Sequence, residues 1–196
     1  MLERGVAERI ADVRSPAGVF ALCAIPTQAP DVLDNGDLWL VLPSINDPGN
    51  LGTMMRAAEA AGASGIALGA GSVDVYNPKV VRASAGAVTS IAVVEGNIIA
   101  MLEQLANRQV GALTRWAASS HHDTPAVALD EASFLQPTAF VLGHETRGLG
   151  AVPIDASVSI PMAGAVESLN VAMAATVLLF EAARQRGYGA ARKGLT

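Results

Sequence analysis

Asn46-Asp47-Pro48-Gly49-Asn50-Leu51-Gly52-Thr53-Met54-Met55-Arg56 is the stretch that decides the fold. It lies between an apolar run, Leu38–Leu42, and an alanine-rich segment that continues to about Ala63. A short apolar run closed by turn formers reads as a strand. Leu51, Met54, Met55 and Ala58 then recur at the core-facing intervals of a helix opening at Gly49–Asn50. Asn50 can cap the first turn of that helix, and Arg56 lies nearly two turns along it.

The same alternation extends in both directions. Upstream, Val19–Ile25 reads as a buried strand bounded by Gly18 and Pro26, and Met1–Ser15 as a charged helix or frayed arm. Downstream, Gly65–Leu68 predicts a strand, and Asn77–Ala85 a helix entered through Asn and Pro. Strands are expected at Ile91–Val94, Val110–Thr114, Thr138–Leu142 and Val158–Ile160, with a helix over Ile98–Asn107. Ser168–Arg186 predicts the longest helix, with Glu167 or Ser168 near its cap and Gly187 just beyond its end. Strands alternating with helices indicate an α/β protein with a mainly parallel sheet flanked by helices.

Composition narrows the function classes. A chain of 196 residues fits one domain, and 51% hydrophobic with 4% aromatic residues describes an aliphatic core. Apolar stretches such as Val171–Phe180 are too short to span a bilayer, and no signal pattern opens the chain. Cys23 is the only cysteine, which excludes an intrachain disulfide and a cysteine zinc cluster and points to a cytoplasmic setting. The net charge of −5 argues against a protein that coats nucleic acid broadly. A local basic patch is still open to Arg56, Lys79, Arg82, Arg115 and Arg147, whose plain alternative is ordinary solvated charge.

Two later segments share the placement of the first, each where a predicted strand ends. They are Leu142-Gly143-His144-Glu145-Thr146-Arg147-Gly148-Leu149 and Ile160-Pro161-Met162-Ala163-Gly164, which runs on to Glu167-Ser168-Leu169-Asn170-Val171. In this order and spacing the three segments resemble the SpoU/TrmH branch of the SPOUT class of RNA ribose 2′-O-methyltransferases. The resemblance runs from about Ser15 to Arg186. It implies a SPOUT fold with a C-terminal trefoil knot, S-adenosyl-L-methionine as methyl donor, an RNA 2′-hydroxyl as acceptor and a homodimer.

By the same resemblance, Asn50, Arg56, Glu145, Ser168 and Asn170 are the catalytic set. Thr114, Leu142, Gly143, Gly148, Ile160, Met162 and Leu169 hold the cofactor, largely through backbone groups, and Arg82 and Arg147 contact RNA. Plain structural roles exist beside these: a surface arginine, helix caps at Asn50 and Ser168, and core packing for Ile160, Met162 and Leu169. Residues 1–14 then form an arm or linker remnant and residues 15–196 the SPOUT domain. Fourteen residues are too few for the extra RNA-binding domain of many relatives, so the expectation is a minimal member or a fragment.

Competing readings are weaker. Leu68-Gly69-Ala70-Gly71 lacks the third glycine of a dinucleotide loop, and Asn77-Pro78 interrupts any immediate long helix. His121-His122-Asp123 has no evident third ligand, so no metal is expected. Ile160–Val171 resembles the ribosomal-RNA-modifying members of the family, so the resemblance implies ribosomal RNA rather than tRNA as substrate, with tRNA the alternative. A non-catalytic RNA-binding paralogue is the other alternative, disfavoured because Arg56, Glu145, Ser168 and Asn170 are all present.

Overall fold

A computed structural model describes residues 6, 21–25, 33, 36–108, 111–118, 125–143, 148–166 and 168–188. The chain alternates β1 (Leu38–Leu42), α1 (Pro48–Ala61), β2 (Gly65–Gly69), α2 (Pro78–Ser84), β3 (Ala92–Gly96) and α3 (Ile98–Arg108). It continues with β4 (Thr114–Ala118), β5 (Val127–Ala128), β6 (Thr138–Val141), β7 (Ala156–Ser159) and α4 (Val171–Gln185). The seven strands form one sheet in the order β3-β2-β1-β6-β4-β7-β5, and every pairing is parallel. Two late strands therefore insert between earlier ones: β6 between β1 and β4, and β7 between β4 and β5.

Burial of both sheet faces explains the continuous apolar runs. Side chains alternate along β1, so Leu38, Leu40 and Leu42 face one core while Trp39 and Val41 face the other. The first core is closed by α1, α2 and α4 through residues such as Met54, Met55, Val80, Leu178 and Leu179. The second is closed by α3 through Ile98, Met101, Leu102 and Leu105. Gly52 lets α1 and α2 cross closely, because a Cβ there would sit 2.5 Å from Ala83 Cβ and 2.7 Å from the Val80 carbonyl oxygen.

Several expectations shift. Residues 21–25 of the anticipated strand Val19–Ile25 have no strand pairing and are exposed, Leu22 fully so. Exposed backbone N–H and C=O groups bond to water, so an apolar composition alone does not build a strand there. The strand anticipated at Val110–Thr114 instead begins at Thr114. Its register is set by partners distant in sequence: Thr114 N–H donates to the Pro137 carbonyl, and Arg115 bonds Asp155 through backbone and side chain. The helix caps also differ. Asp47, not Asn50, caps α1, and Asn170, not Ser168, caps α4.

The last helix runs back across the sheet. Arg186 donates to the carbonyls of Phe134, Gln136 and Asp37, to Asp37 Oδ1 and to Thr138 Oγ1. These acceptors lie just before or at the starts of β1 and β6, so the end of α4 is fastened at the strand-start edge. Burial lowers the Arg186 pKa, with the Asp37 carboxylate opposing that effect.

Candidate functional site

In parallel sheets, sites form beyond the carboxyl ends of the strands. The three sequence segments all leave from that edge: Asn46–Arg56 after β1, Leu142–Gly143 after β6, and Ile160–Asn170 after β7. Pro48 starts α1, where a missing N–H costs nothing, and Asp47 Oδ1 accepts the Asn50 N–H at 2.7 Å. That cap leaves the Asn50 side chain available for another partner. Asn170 reaches it across 120 residues of sequence, its Nδ2 donating to Asn50 Oδ1 at 3.1 Å. At the same time Asn170 Oδ1 accepts the Ala172 N–H at 2.9 Å and caps α4. One side-chain pair thus joins the first and third segments and brings the N-terminal ends of α1 and α4 together.

Arg56 is exposed on α1, about 9 Å further along the helix axis than Asn50. Ser168 is exposed two residues before the α4 cap, and Leu169 is half-buried between them. Arg82 is exposed on α2, which packs directly against α1.

Leu142 is buried and extends the β1–β6 ladder through its N–H bond to the Val41 carbonyl. Gly143 follows at a point where only a glycine fits. A Cβ there would lie 2.5 Å from the Gly148 carbonyl oxygen and 3.0 Å from Leu149 Cδ2. Gly148 itself has a φ of +63°. Gly143 and Gly148 therefore meet through bare backbone, the kind of surface that can lie flat against a planar ligand. Ile160 and Met162 are half-buried beyond β7, separated from Gly143 only by β4. Two inter-strand spacings give about 10 Å between these groups, a span suited to a nucleoside with a substituent.

Not every expected residue joins them. Thr114 lies at the opposite edge, because β4 begins there; the length of the strand, about 13 Å, separates it from the Leu142–Gly143 level. Arg115 is likewise removed from the anticipated basic patch. It forms a two-pronged ion pair with Asp155, at 2.6 and 2.8 Å, one residue from the start of β4. The bond to Asp155 raises the Arg115 pKa, and the same bond lowers that of Asp155. Glu145, Arg147, His144 and the run His121-His122-Asp123 lie outside the described residues. Among the described residues no group of three or more His, Cys, Asp or Glu is placed to hold a metal, and no helix is long and apolar enough to cross a membrane.

Sequence reasoning missed the Asn50–Asn170 contact, since nothing local in either segment specifies a partner so distant. It also missed Asp47 as the α1 cap, although an Asp immediately before Pro is a recognised helix-start signal.

Comparison with known proteins identifies the family and its fold. The sequence profile of the SpoU rRNA methylase family matches residues 37–180. The 23S rRNA (uridine(2479)-2′-O)-methyltransferase of Streptomyces viridochromogenes is 36% identical over 182 residues, covering 88% of this chain and 62% of that protein. The 23S rRNA (guanosine-2′-O-)-methyltransferase RlmB of Ralstonia nicotianae is 35% identical, covering 93% of this chain and 74% of that one. The crystal structure of the SpoU methyltransferase AviRb from Streptomyces viridochromogenes, in complex with AdoMet, superposes with a TM-score of 0.72 at 34% identity. That superposition covers 84% of this chain and 67% of AviRb. The chain thus spans about three-fifths to three-quarters of the length of these relatives.

Proposed function

Because the chain belongs to the SpoU rRNA methylase family, we propose that it transfers a methyl group from S-adenosyl-L-methionine to a ribose 2′-hydroxyl of RNA, and of ribosomal RNA rather than tRNA. The observation that carries this reading is the Asn170–Asn50 bond. It joins two of the three segments at the strand-end edge from which Leu142–Gly143 also leaves. The choice of ribosomal RNA is supported by the relatives named for 23S rRNA.

Bare backbone at Gly143 and Gly148 with apolar side chains at Leu142, Ile160 and Met162 is chemically suited to the donor. Leu142, Gly143 and Gly148 would hold it on one side and Ile160, Met162 and Leu169 on the other, through backbone groups and apolar contact. When bound, S-adenosylmethionine supplies an electrophilic methyl on a sulfonium. The protein has to align the RNA hydroxyl with that methyl and stabilise the oxygen as its proton leaves. Alignment of this kind lowers a barrier by roughly 7–11 kcal/mol.

Arg56 carries the charge for that task. A guanidinium offers hydrogen-bond donors and no acceptor, so it holds a phosphate or faces the emerging alkoxide. Ser168 borders the same edge, and Glu145 and Arg147 belong to this proposed set by their place in the second segment. Arg82, on the neighbouring helix, extends the basic surface.

The wider reading has three further parts. A homodimer is supported by the exposed apolar side chains Met173 and Phe180 on α4 and by Val166 before it. A trefoil knot is supported by the late insertion of β6 and β7 between earlier strands. A cytoplasmic location is supported by the lone, unpaired Cys23. The catalytic body is taken to begin near residue 15.

The test is transfer of a labelled methyl to ribosomal RNA by the purified chain, with 2′-O-methyl positions mapped in total RNA with and without the gene. A ribose methyl that depends on the gene is expected. An unchanged map together with no transfer in vitro would refute the assignment.

A further inference from the structure

The Asn50–Asn170 pair contains more than proximity. Asn170 Oδ1 accepts the Ala172 N–H, and only the oxygen of an amide side chain can do that. The helix cap therefore decides which side of the Asn170 amide is nitrogen. That nitrogen can only donate, so the atom it meets on Asn50 must be oxygen. The orientation of the Asn50 amide is thus set, through Asn170, by the first turn of α4. Asn50 Nδ2, with its two hydrogens, is turned away from Asn170. The Asn50 backbone N–H is already taken by Asp47 Oδ1, so the side-chain amide is the donor this residue has left to offer.

We infer that Asn170 is a positioning residue for Asn50, and that Asn50 acts through Nδ2–H as a hydrogen-bond donor to an anionic oxygen of the RNA strand. The inference rests on the function proposed above and assigns polarity within that site. Without the relay, an asparagine amide could present either oxygen or nitrogen. An oxygen facing a phosphate or an alkoxide would repel it, so a fixed orientation removes the unfavourable half of the possibilities. The converging helix ends favour negative charge at the same place, against the opposing charge of the Asp47 cap.

Asn50→Asp separates this role from a structural one. Aspartate still accepts from Asn170 Nδ2 and retains the junction between α1 and α4, but it has no hydrogen to donate. Methyl transfer is expected to fall by roughly 10²–10³-fold, the usual effect of losing one donor to a developing anion, while S-adenosylmethionine affinity stays within a few-fold. A fall in kcat at saturating RNA identifies the oxygen as the alkoxide, and a rise in KM alone identifies it as a phosphate. Wild-type kinetics in both parameters would overturn the inference.

Asn170→Ser keeps a capping oxygen for Ala172 but cannot reach Asn50. It should reduce transfer in the wild-type background and add little in the Asn50→Asp background, because both changes remove the same oriented donor. Full additivity of the two losses would overturn the positioning role. An activity-independent measurement covers variants that fold poorly: the Asn170 side-chain amide signals in a ¹⁵N-correlated spectrum of the wild-type protein and of Asn50→Leu. A marked shift and faster hydrogen exchange on losing the acceptor are expected, and unchanged signals would overturn the relay. A wild-type chain that transfers no methyl group would instead refute the proposed function, while these signals still decide the relay.

Discussion

Replacing Gly52 with alanine pits local helix preference against packing, and the structure determines which prevails. Alanine stabilises a helix interior by about 1 kcal/mol relative to glycine. At this position, however, the new methyl would lie 2.5 Å from Ala83 Cβ, 2.7 Å from the Val80 carbonyl oxygen and 2.8 Å from the Ser84 nitrogen. Carbon contacts are most favourable at about 3.5–4.0 Å, so α2 must retreat by roughly 1 Å. Two of the three obstructing atoms are backbone, and no rotamer change relieves them.

Overpacking of this kind costs about 1–3 kcal/mol, occasionally more. After the helix gain, a net loss of up to about 2 kcal/mol is expected. For a domain of this size that is up to roughly 8 °C in Tm, measured by thermal melts and checked by the urea midpoint at constant slope. Gly52 and Asn50 are about 200° apart around α1, so the displacement falls on α2 and not on the junction with α4. Methyl transfer measured well below the melting range should therefore change less than stability does. A variant that melts higher than wild type would refute the argument that the α1–α2 crossing is already at contact.

Three further outcomes follow from the site and the sheet. Arg56→Ala should leave S-adenosylmethionine affinity within a few-fold, by calorimetry, yet lower methyl transfer by roughly 10²–10³; Arg56→Lys should restore little, since a point charge lacks the planar fork. Gly143→Val places a branched side chain where the Gly148 carbonyl already sits 2.5 Å away, and should weaken cofactor binding at least as much as it lowers Tm; unchanged binding would remove this cradle from the cofactor site. Asp155→Asn probes the pair with Arg115, whose bond holds the Asp155 pKa below its ordinary value in the folded state. A depressed carboxylate contributes stability above its unfolded pKa and loses it as pH falls through the folded one, so urea midpoints of wild type should decline more steeply than those of the variant between about pH 5 and pH 2.

Much of the architecture was legible because parallel strands buried on both faces announce themselves as short apolar runs. Leu38–Leu42 and Gly65–Gly69 are of this kind, and Pro48 and Pro78 mark the helices that follow. Legibility failed where distant partners decide. Gly111 to Ala118 holds enough small and apolar residues to place a strand in either half, and the choice rests on Pro137 and Asp155. That shift carried Thr114 from the expected functional edge to the opposite one. The caps moved for a related reason: several residues near each helix start can accept an N–H, and backbone geometry picks Asp47 and Asn170. The chemical segments were readable individually, whereas the bond between Asn50 and Asn170 exists only once α1 and α4 pack side by side.

The anchoring of Arg186 has a practical corollary for handling the protein. α4 carries Asn170 at one end and, 15 residues or about 22 Å later, is fastened beneath the starts of β1 and β6. The described chain therefore departs at Tyr188 from the side of the sheet facing away from the edge proposed as the site. A fluorophore, surface tether or affinity handle joined at Tyr188 would start from the side opposite the proposed site, leaving the approach of the proposed RNA partner clear. The same handle on α1 or in the 160–166 segment would stand in its way.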